Sequence, residues 1–389
     1  MTAFATRSRA ASTPGVTATG LKIGNTMPYS GPVSSYAPIG KTEAAYFKML
    51  NEQGGVAGHN IDFISLDDEY MPPRTVEDVR RLVEEDQVDF LFQTLGTPTN
   101  SAIERYCNQH KVPQLFVATG ADKWGDYKRF PWTIGLQPSY RTEAQIYTKY
   151  ILSQKSNPKI AFLYQNDDFG KDYVNGVRDA LGEKWSNYVV KVASYEATDP
   201  TVDSQMTSLQ ASGADVFICA ATPKTAAQAV RKAHGLGWKP MFFMTNVSIS
   251  PGSVMIPAGP QNGIGIITSG YLKDNTDPAW ANDPGMNEWR GFMAKHLPGA
   301  DMSDNNYVYG YLASTVMHHV LDACNGNFSR MNIMRQATSI APMEVPVLLP
   351  GITVSTSPTD YHPIRAMQLQ RWNGKTWERF GSVIEGMKA

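Results

Sequence analysis

Residues 89–100 read Asp89-Phe90-Leu91-Phe92-Gln93-Thr94-Leu95-Gly96-Thr97-Pro98-Thr99-Asn100, and residues 112–120 read Val112-Pro113-Gln114-Leu115-Phe116-Val117-Ala118-Thr119-Gly120. Each stretch opens on a short apolar run of strand length, and Gly-Thr-Pro between them starts a helix. The second half of the chain repeats the pattern as Asp215-Val216-Phe217, Thr222-Pro223 and Lys239-Pro240-Met241-Phe242-Phe243. From the aspartate to the loop proline is 9 positions in the first copy (89 to 98) and 8 in the second (215 to 223). From the aspartate to the proline before the next strand is 24 (89 to 113) and 25 (215 to 240). Two lobes of one design follow from that recurrence.

Strands and helices alternate outward from both copies. In the first half, strands are expected at Leu21–Met27, Ile61–Leu66 and Phe90–Thr94. A helix over about 40–53 carries Ala44, Phe47 and Leu50 on one face, and another carries Val76, Val79, Leu82 and Val83. After Pro138 come strands Lys159–Tyr164, Val189–Ser194, Val216–Ala220 and Met241–Thr245, with helices between them. Repeated βα units demand parallel sheets, right-handed crossovers and helices on both faces.

Beyond Gly270 the order changes to helical stretches at about 278–296, 305–325 and 329–340. β-like segments follow at 352–355, 367–372 and 376–380, the last two joined through Asn373-Gly374, a type I′ hairpin signal. This return lets the chain cross between lobes three times. The expected fold class is α/β, two similar doubly wound parallel-sheet lobes joined by a three-segment hinge. Lobe 1 takes 21–137 plus 270–345, and lobe 2 takes 138–269 plus 346–389.

Composition narrows the function. A chain of 389 residues exceeds the ~250–300 at which single cores stop growing. Lys and Arg number 35 against 36 Asp and Glu, with 18% charged residues, so neither disorder nor nucleic-acid binding is indicated. No run approaches the ~20 apolar residues that span a bilayer. Cys107, Cys219 and Cys324 are far apart and odd in number, which suggests buried apolar thiols. Residues 1–20, rich in Ala, Ser and Thr, carry Arg7 and Arg9 and lack the apolar core of a cleavable signal. They read as a disordered N-terminal segment, whether a flexible terminus, an appended stretch or the remnant of an export signal.

Catalytic signatures are absent: there is no phosphate loop, dinucleotide fingerprint, GxSxG elbow, HExxH or EF-hand loop. No catalytic residue, metal ligand or cofactor is expected. Adjacent His318 and His319 point in different directions on a helix and do not chelate together. Asp67-Asp68 and Asp167-Asp168 sit at strand ends, where caps and loop turns use carboxylates as readily as catalysis does. The loop at Leu95-Gly96-Thr97 differs in kind, because glycine permits close backbone approach and free amides at a helix start attract a carboxylate. Thr97 serves there either as an N-cap or as a ligand contact. Ala118-Thr119-Gly120 offers small residues and a hydroxyl beside it. Tyr29, Tyr36, Tyr70 and Phe169 decorate the same strand ends, where they either wrap an apolar ligand body or pack between lobes.

Several stretches carry a family resemblance: NTMPYSGPVSSY at 25–36, the run from Asn51 to Asp86, FQTLGTPTNSA at 92–102, VPQLFVATGAD at 112–122 and IAFLYQNDDFGKDYVNGV at 160–177. In order and spacing they resemble the periplasmic leucine/isoleucine/valine-binding protein family, the type I solute-binding proteins of ABC importers. The resemblance runs from about Leu21 to the last strands. It implies the periplasmic binding protein type I fold, a periplasmic location and a monomer that hands a small carboxylate ligand to ABC permease subunits. It also implies that Leu95, Gly96, Thr97, Ala118, Thr119 and Gly120 hold the ligand carboxylate and that Tyr36 is a first-lobe aromatic contact. From the second lobe it implies Phe169 as a closing aromatic, Ala221 where a tyrosine often stands, and Asn246 where amino-acid binders carry an acid for the α-ammonium. An uncharged amide does not neutralise a buried ammonium. The expected ligand is therefore a small organic acid, aromatic or aliphatic, ahead of a branched-chain amino acid. Two other readings are a sensor of the same fold with a separate signalling partner, and a two-domain enzyme, for which the chain offers no nucleophile or base constellation.

Overall fold

The computed structural model describes residues 13–386. Its first sheet is wholly parallel, ordered β2-β1-β3-β4-β5. The strands are β1 (Gly20–Met27), β2 (Asn60–Asp67), β3 (Phe90–Phe92), β4 (Gln114–Val117) and β5 (Thr133–Gly135). Helices α1 (Ala37–Glu52), α2 (Pro72–Arg80) and α3 (Thr97–Gln109) connect them. Every residue of β3, β4 and β5 is buried, as parallel strands covered on both faces require.

The second sheet has eight strands, with the parallel order β7-β6-β8-β9-β10 continued by antiparallel β11 and β12, and β13 pairing β11. These are β6 (Ile160–Gln165), β7 (Val189–Tyr195), β8 (Val216–Ala220), β9 (Met241–Met244), β10 (Ile267–Gly270), β11 (Ala366–Trp372), β12 (Trp377–Arg379) and β13 (Ile384–Glu385). Helices α4 (Tyr140–Gln154), α5 (Asp168–Leu181), α6 (Trp185–Tyr188), α7 (Asp203–Ala211), α8 (Pro223–Gly235) and α9 (Ile256–Ala258) belong to this half. Side chains set several starts: Ser139 Oγ accepts the Thr142 amide at 3.3 Å to begin α4, and Asp167 accepts that of Gly170 at 3.3 Å to begin α5. The parallel orders of the two sheets are the same, so the sequence recurrence is a repeat of topology.

Helices α10 (Pro284–His296), α11 (Asn306–Ala323) and α12 (Arg330–Ala337) follow β10, and α11 packs along α1 of the first half. The stretch after α12 stays with the first sheet: Tyr361 Oη donates to the Pro131 carbonyl at 3.3 Å, and a side chain at Gly125 would collide with His362. The last crossing therefore lies near Arg365, beyond the expected boundary at 345/346. The antiparallel bridge Leu272↔Leu348 ties two of the connecting segments together.

Three local expectations are corrected. Of the segment expected to be disordered, residues 1–12 lie outside the described residues, whereas 13–20 fold back on the first sheet. Lys22 N donates to the Gly15 carbonyl at 2.9 Å, and Gly15 (φ 74°) lies where a Cβ would stand 2.5 Å from the Asp89 amide nitrogen. Residues 352–355 form no strand, only the bridge Met343↔Val354. The β11–β12 hairpin forms with Trp372 opposite Trp377, but its central residues are Gly374 (φ 99°) and Lys375. A single positive-φ glycine at the first central position is the II′ pattern, and Asn373 instead accepts the Lys375 and Thr376 amides through its side chain at 2.8 and 2.9 Å.

One core group has an unusual energetic position. Glu43 on α1 is wholly buried, and neither carboxyl oxygen finds a hydrogen-bond partner among the described residues. Burial pushes its carboxyl well above the usual carboxylate range, which favours the neutral acid. An unfolded glutamate ionises near pH ~4.3, so the folded protein holds the extra proton above that point and loses stability as pH rises through the raised value. Glu43→Gln, a neutral isostere, is expected to raise unfolding free energy by about 1–3 kcal/mol at pH 8 and to leave it unchanged near pH 4. Urea melts at the two pH values check this; equal stabilities of the two proteins at pH 8 would show that Glu43 is not a buried neutral acid.

Candidate functional site

In both sheets the chain order reverses beside the first strand, between β1 and β3 and between β6 and β8. Ligands in open α/β sheets bind outside the carboxyl ends of strands at such switch points. The loops at those ends face each other across a cleft with two adjoining chambers, which share Tyr36, Ile39, Gln137 and Val247.

The first chamber is built on the β3–α3 and β4 loops. Leu95 bridges Ala118 in parallel register, and the Gly96 amide donates to the Ala118 carbonyl at 3.3 Å. Gly96 holds φ 103°, a left-handed value that suits glycine, and a Cβ there would lie 2.7 Å from Thr99 Oγ1 and clash with the Tyr70 ring. Gly96 is the N-cap of α3, so Thr97 is the first helical residue and Pro98 the second. The capping role for Thr97 is thereby excluded. Its hydroxyl lies 2.6 Å from that of Thr119, and Thr119 Oγ1 also accepts the Ala121 amide and Trp124 Nε1, each at 3.3 Å. An oxygen accepting two N–H groups has its own proton to give to Thr97, which leaves the Thr97 proton available to a ligand oxygen. The amides of Thr97 and Thr99 find no carbonyl within their helix and stand at its positive end.

Opposite this wall stands an aromatic cage. Phe169, on the first turn of α5, meets Tyr140 at 4.9 Å between ring centroids and Tyr173 at 5.8 Å, both edge-on. Tyr36 and Tyr70 close the cage from the first lobe. The lining residues of this chamber include no Asp, Glu, Lys, Arg or His.

The lobes touch directly. Tyr36 Oη donates to the Val247 carbonyl at 3.0 Å, Gln165 Nε2 to Tyr70 Oη at 3.2 Å, and the Asp122 amide to Asp172 Oδ2 at 2.8 Å. Burial pushes Asp172 up to about 7, while the Asp122 amide pulls it down. These contacts describe a closed cleft.

The second chamber lies beside the connecting segment at 270–272 and is partly open to solvent. Asn246 lines it with its N–H donors turned to the fold: the backbone N–H donates to Glu143 Oε1 at 2.9 Å and Nδ2 donates to Glu143 Oε2. Tyr147, Tyr173 and Ser269 also donate to this carboxyl, which burial pushes up and these hydrogen bonds pull down.

Of the residues expected to form the site, Tyr36, Leu95, Gly96, Thr97, Ala118, Thr119 and Phe169 line the first chamber together, and Asn246 lines the second. Gly120 and Ala221 line neither. Gly120 serves the crossing into α4, where its carbonyl accepts the Tyr140 amide at 2.8 Å and a Cβ would strike Pro138 and Tyr140. Ala221 is buried in the second-lobe core with its carbonyl bonded by Ser248 Oγ at 2.5 Å, and the next residue, Thr222, reaches the cleft. Tyr29 packs against Ser65, its hydroxyl 2.6 Å from Oγ. Asp68 and Asp167 organise their loops, accepting the Tyr70 and Gly170 amides. Sequence reasoning missed Tyr140, Gln137, Tyr309 and Gln370, whose positions depend on the crossings and on the late strands. Cys107, Cys219 and Cys324 are buried free thiols.

Comparison with known proteins places this architecture. The chain is similar to a Leu/Ile/Val-binding protein homolog of Brucella melitensis, 20% identical over 295 residues that cover 74% of this chain and 76% of the relative. A branched-chain amino acid ABC transporter structure from Thermus thermophilus with bound valine matches with TM-score 0.85 and 15% identity, over 94% of this chain and 97% of its own. A fatty acid ABC transporter substrate-binding protein from Thermomonospora curvata matches with TM-score 0.80 and 19% identity, over 95% and 94%. The periplasmic binding protein family matches residues 20–376. With its paired sheets, its switch-point cleft and a family match over nearly its whole length, this chain belongs to the periplasmic binding protein family.

Proposed function

We propose that this protein is the extracytoplasmic solute-binding component of an ABC importer and closes its lobes around a small carboxylate-bearing molecule. The observation that carries this reading is the Thr97–Thr119 hydroxyl pair beside the free α3 amides, facing an aromatic cage with no ionised side chain in its lining. Neutral donors at a helix start hold an anion without a cationic partner. Valine and fatty acids, the molecules named with two of the related structures, share a carboxylate and differ in the ammonium group.

The first-chamber lining supplies no carboxylate for an ammonium, and the oxygens of Glu143, behind Asn246, are already taken by Asn246, Tyr147, Tyr173 and Ser269. The ligand is therefore an acid without an α-amino group, ahead of a branched-chain amino acid. The first lobe, residues 13–137 with 271–364, captures the acid group. The second, 138–270 with 365–386, swings in to cover it, and only differential affinity for the closed state drives the motion. The released ligand passes to permease subunits, with the binding protein acting as a monomer.

Calorimetry with valine, leucine, 4-methyl-2-oxopentanoate, phenylacetate and octanoate tests the reading. At least one of the three deaminated acids is expected to bind, and the two amino acids to bind more weakly; tight leucine or valine binding with no affinity for the acids would reverse the preference. For the best-bound acid, Thr97→Val and Phe169→Ala are each expected to weaken binding by about tenfold or more, the loss of a hydrogen bond to a charged group or of a buried ring. Unchanged affinity in both variants, with unliganded melting temperatures preserved, would remove the site.

A further inference from the structure

The hinge-side chamber holds polar groups that the carboxylate reading does not use. Tyr309 is 4% exposed and lines the chamber from α11; its hydroxyl stands beside the carboxamides of Gln93 and Gln137 but makes no hydrogen bond of good geometry among the described residues. Asn305 Oδ1, one turn earlier, is likewise unpartnered. Gln370 on β11 is 3% exposed and lies over β10, where its carboxamide is without a protein partner among the described residues. Gly270 makes room for it: a Cβ at that position would collide with the Gln370 carboxamide. Gln137, on the wall shared by both chambers, accepts from Tyr140 Oη at 3.2 Å through Oε1, and its carboxamide also stands beside the Tyr309 hydroxyl.

The charge balance of the chamber restricts what these groups serve. Asp274 is its one ionisable carboxyl, and its oxygens accept the Thr276 amide and hydroxyl at 2.9 Å. No Lys, Arg or His lines the chamber. A second carboxylate on the ligand would therefore be buried without a counter-charge, which is costly, and Asp274, the one acid a cation would meet, is already held by Thr276. Buried donors and acceptors left unpaired are costly, so a neutral group that pairs with Tyr309 Oη and Asn305 Oδ1 gains on entry. Carboxamide side chains present both a donor and an acceptor, the complement of an amide, a hydroxyl or a carbonyl.

We propose that this chamber is a second, polar subsite for a neutral hydrogen-bonding group at the far end of the ligand. The imported molecule is then an elongated acid: a carboxylate at Thr97 and Thr119, an apolar or aromatic body in the Tyr36–Tyr140–Phe169 cage, and an amide or hydroxyl group facing Gln370, Tyr309 and Gln137. This rests on the carboxylate reading above and specifies its substrate class.

The test is calorimetry with phenylacetate and 3-phenylpropanoate, each carrying hydrogen, hydroxyl, carbamoyl or carboxylate at the para position. The hydroxyl or carbamoyl member of at least one series is expected to bind tenfold or more tighter than its parent, and the para-carboxylate no tighter than the parent. Gln370→Leu and, separately, Tyr309→Phe are expected to shrink that ratio below threefold, with thermal melts of the unliganded variants confirming the fold. Parent acids binding as tightly as their substituted forms, or a ratio that survives both variants, overturns the proposal and assigns the chamber to ordered water. Absence of binding by all eight acids, with Thr97→Val indifferent to them, signals instead that the carboxylate reading has failed, and the subsite falls with it.

Discussion

A parallel β-strand and the helix that follows it deliver a strand carboxyl end and a helix amino end to the same edge of the sheet. Everything functional in this molecule depends on that directionality. The order β2-β1-β3-β4-β5 in one half and β7-β6-β8-β9-β10 in the other places two such edges face to face. Because the first four amides of a helix have no partner within it, each edge arrives with hydrogen-bond donors already free. The first lobe turns this to use at α3, where Gly96 lets the backbone lie against Tyr70 and Thr97 hands its hydroxyl to the cleft.

Rigidity of the opposite wall comes from a buried carboxyl. Glu143 on α4 gathers donors from Tyr147 on its own helix, Tyr173 on α5, Asn246 after β9 and Ser269 on β10. One side chain thus locks two helices and two strand ends of the second lobe into one body. The cage stands on that body, since Tyr173 binds Glu143 through its hydroxyl while its ring packs on Tyr140 and Phe169. In the proposed closure a body fixed internally would swing as one unit, so contacts such as Tyr36 to Val247 would form or break together.

What the sequence disclosed follows from how local each feature is. The Leu95-Gly96-Thr97 loop and Ala118-Thr119 are legible because short motifs at strand ends have fixed consequences for backbone and dipole. The Asn373-Gly374 dipeptide foretold a hairpin but not its turn, since one residue of shift moves the glycine to the first central position. Ala221 was misplaced by a single residue: a strand end alternates faces, so Thr222 reaches the cleft while Ala221 faces the core. Tyr140 and Gln137 flank the first crossing, and Gln370 comes from a strand 100 positions after Gly270 in number (270 to 370). Nothing in their neighbourhoods marks them, because their role exists only once the chain has crossed between lobes. The ordering of residues 13–20 was hidden for a related reason, as Gly15 is held by the backbone of residues 87–89.

The absence of ionised side chains from the first-chamber lining connects these features to selectivity. A helix start carries roughly half a positive charge, enough with direct hydrogen bonds to favour a carboxylate, and it offers nothing to an ammonium. On the proposed reading a zwitterion entering this cleft would gain at its acid end and lose at its amine end, because Glu143, behind Asn246, already has its oxygens occupied by the fold, as Asp274 in the second chamber has by Thr276. If the proposed reading holds, selectivity between an acid and an amino acid in this cleft turns on whether the second lobe keeps its buried carboxyl for itself. On that reading the same hydrogen bonds that tie the second lobe together also withdraw the group that an α-amino ligand would need.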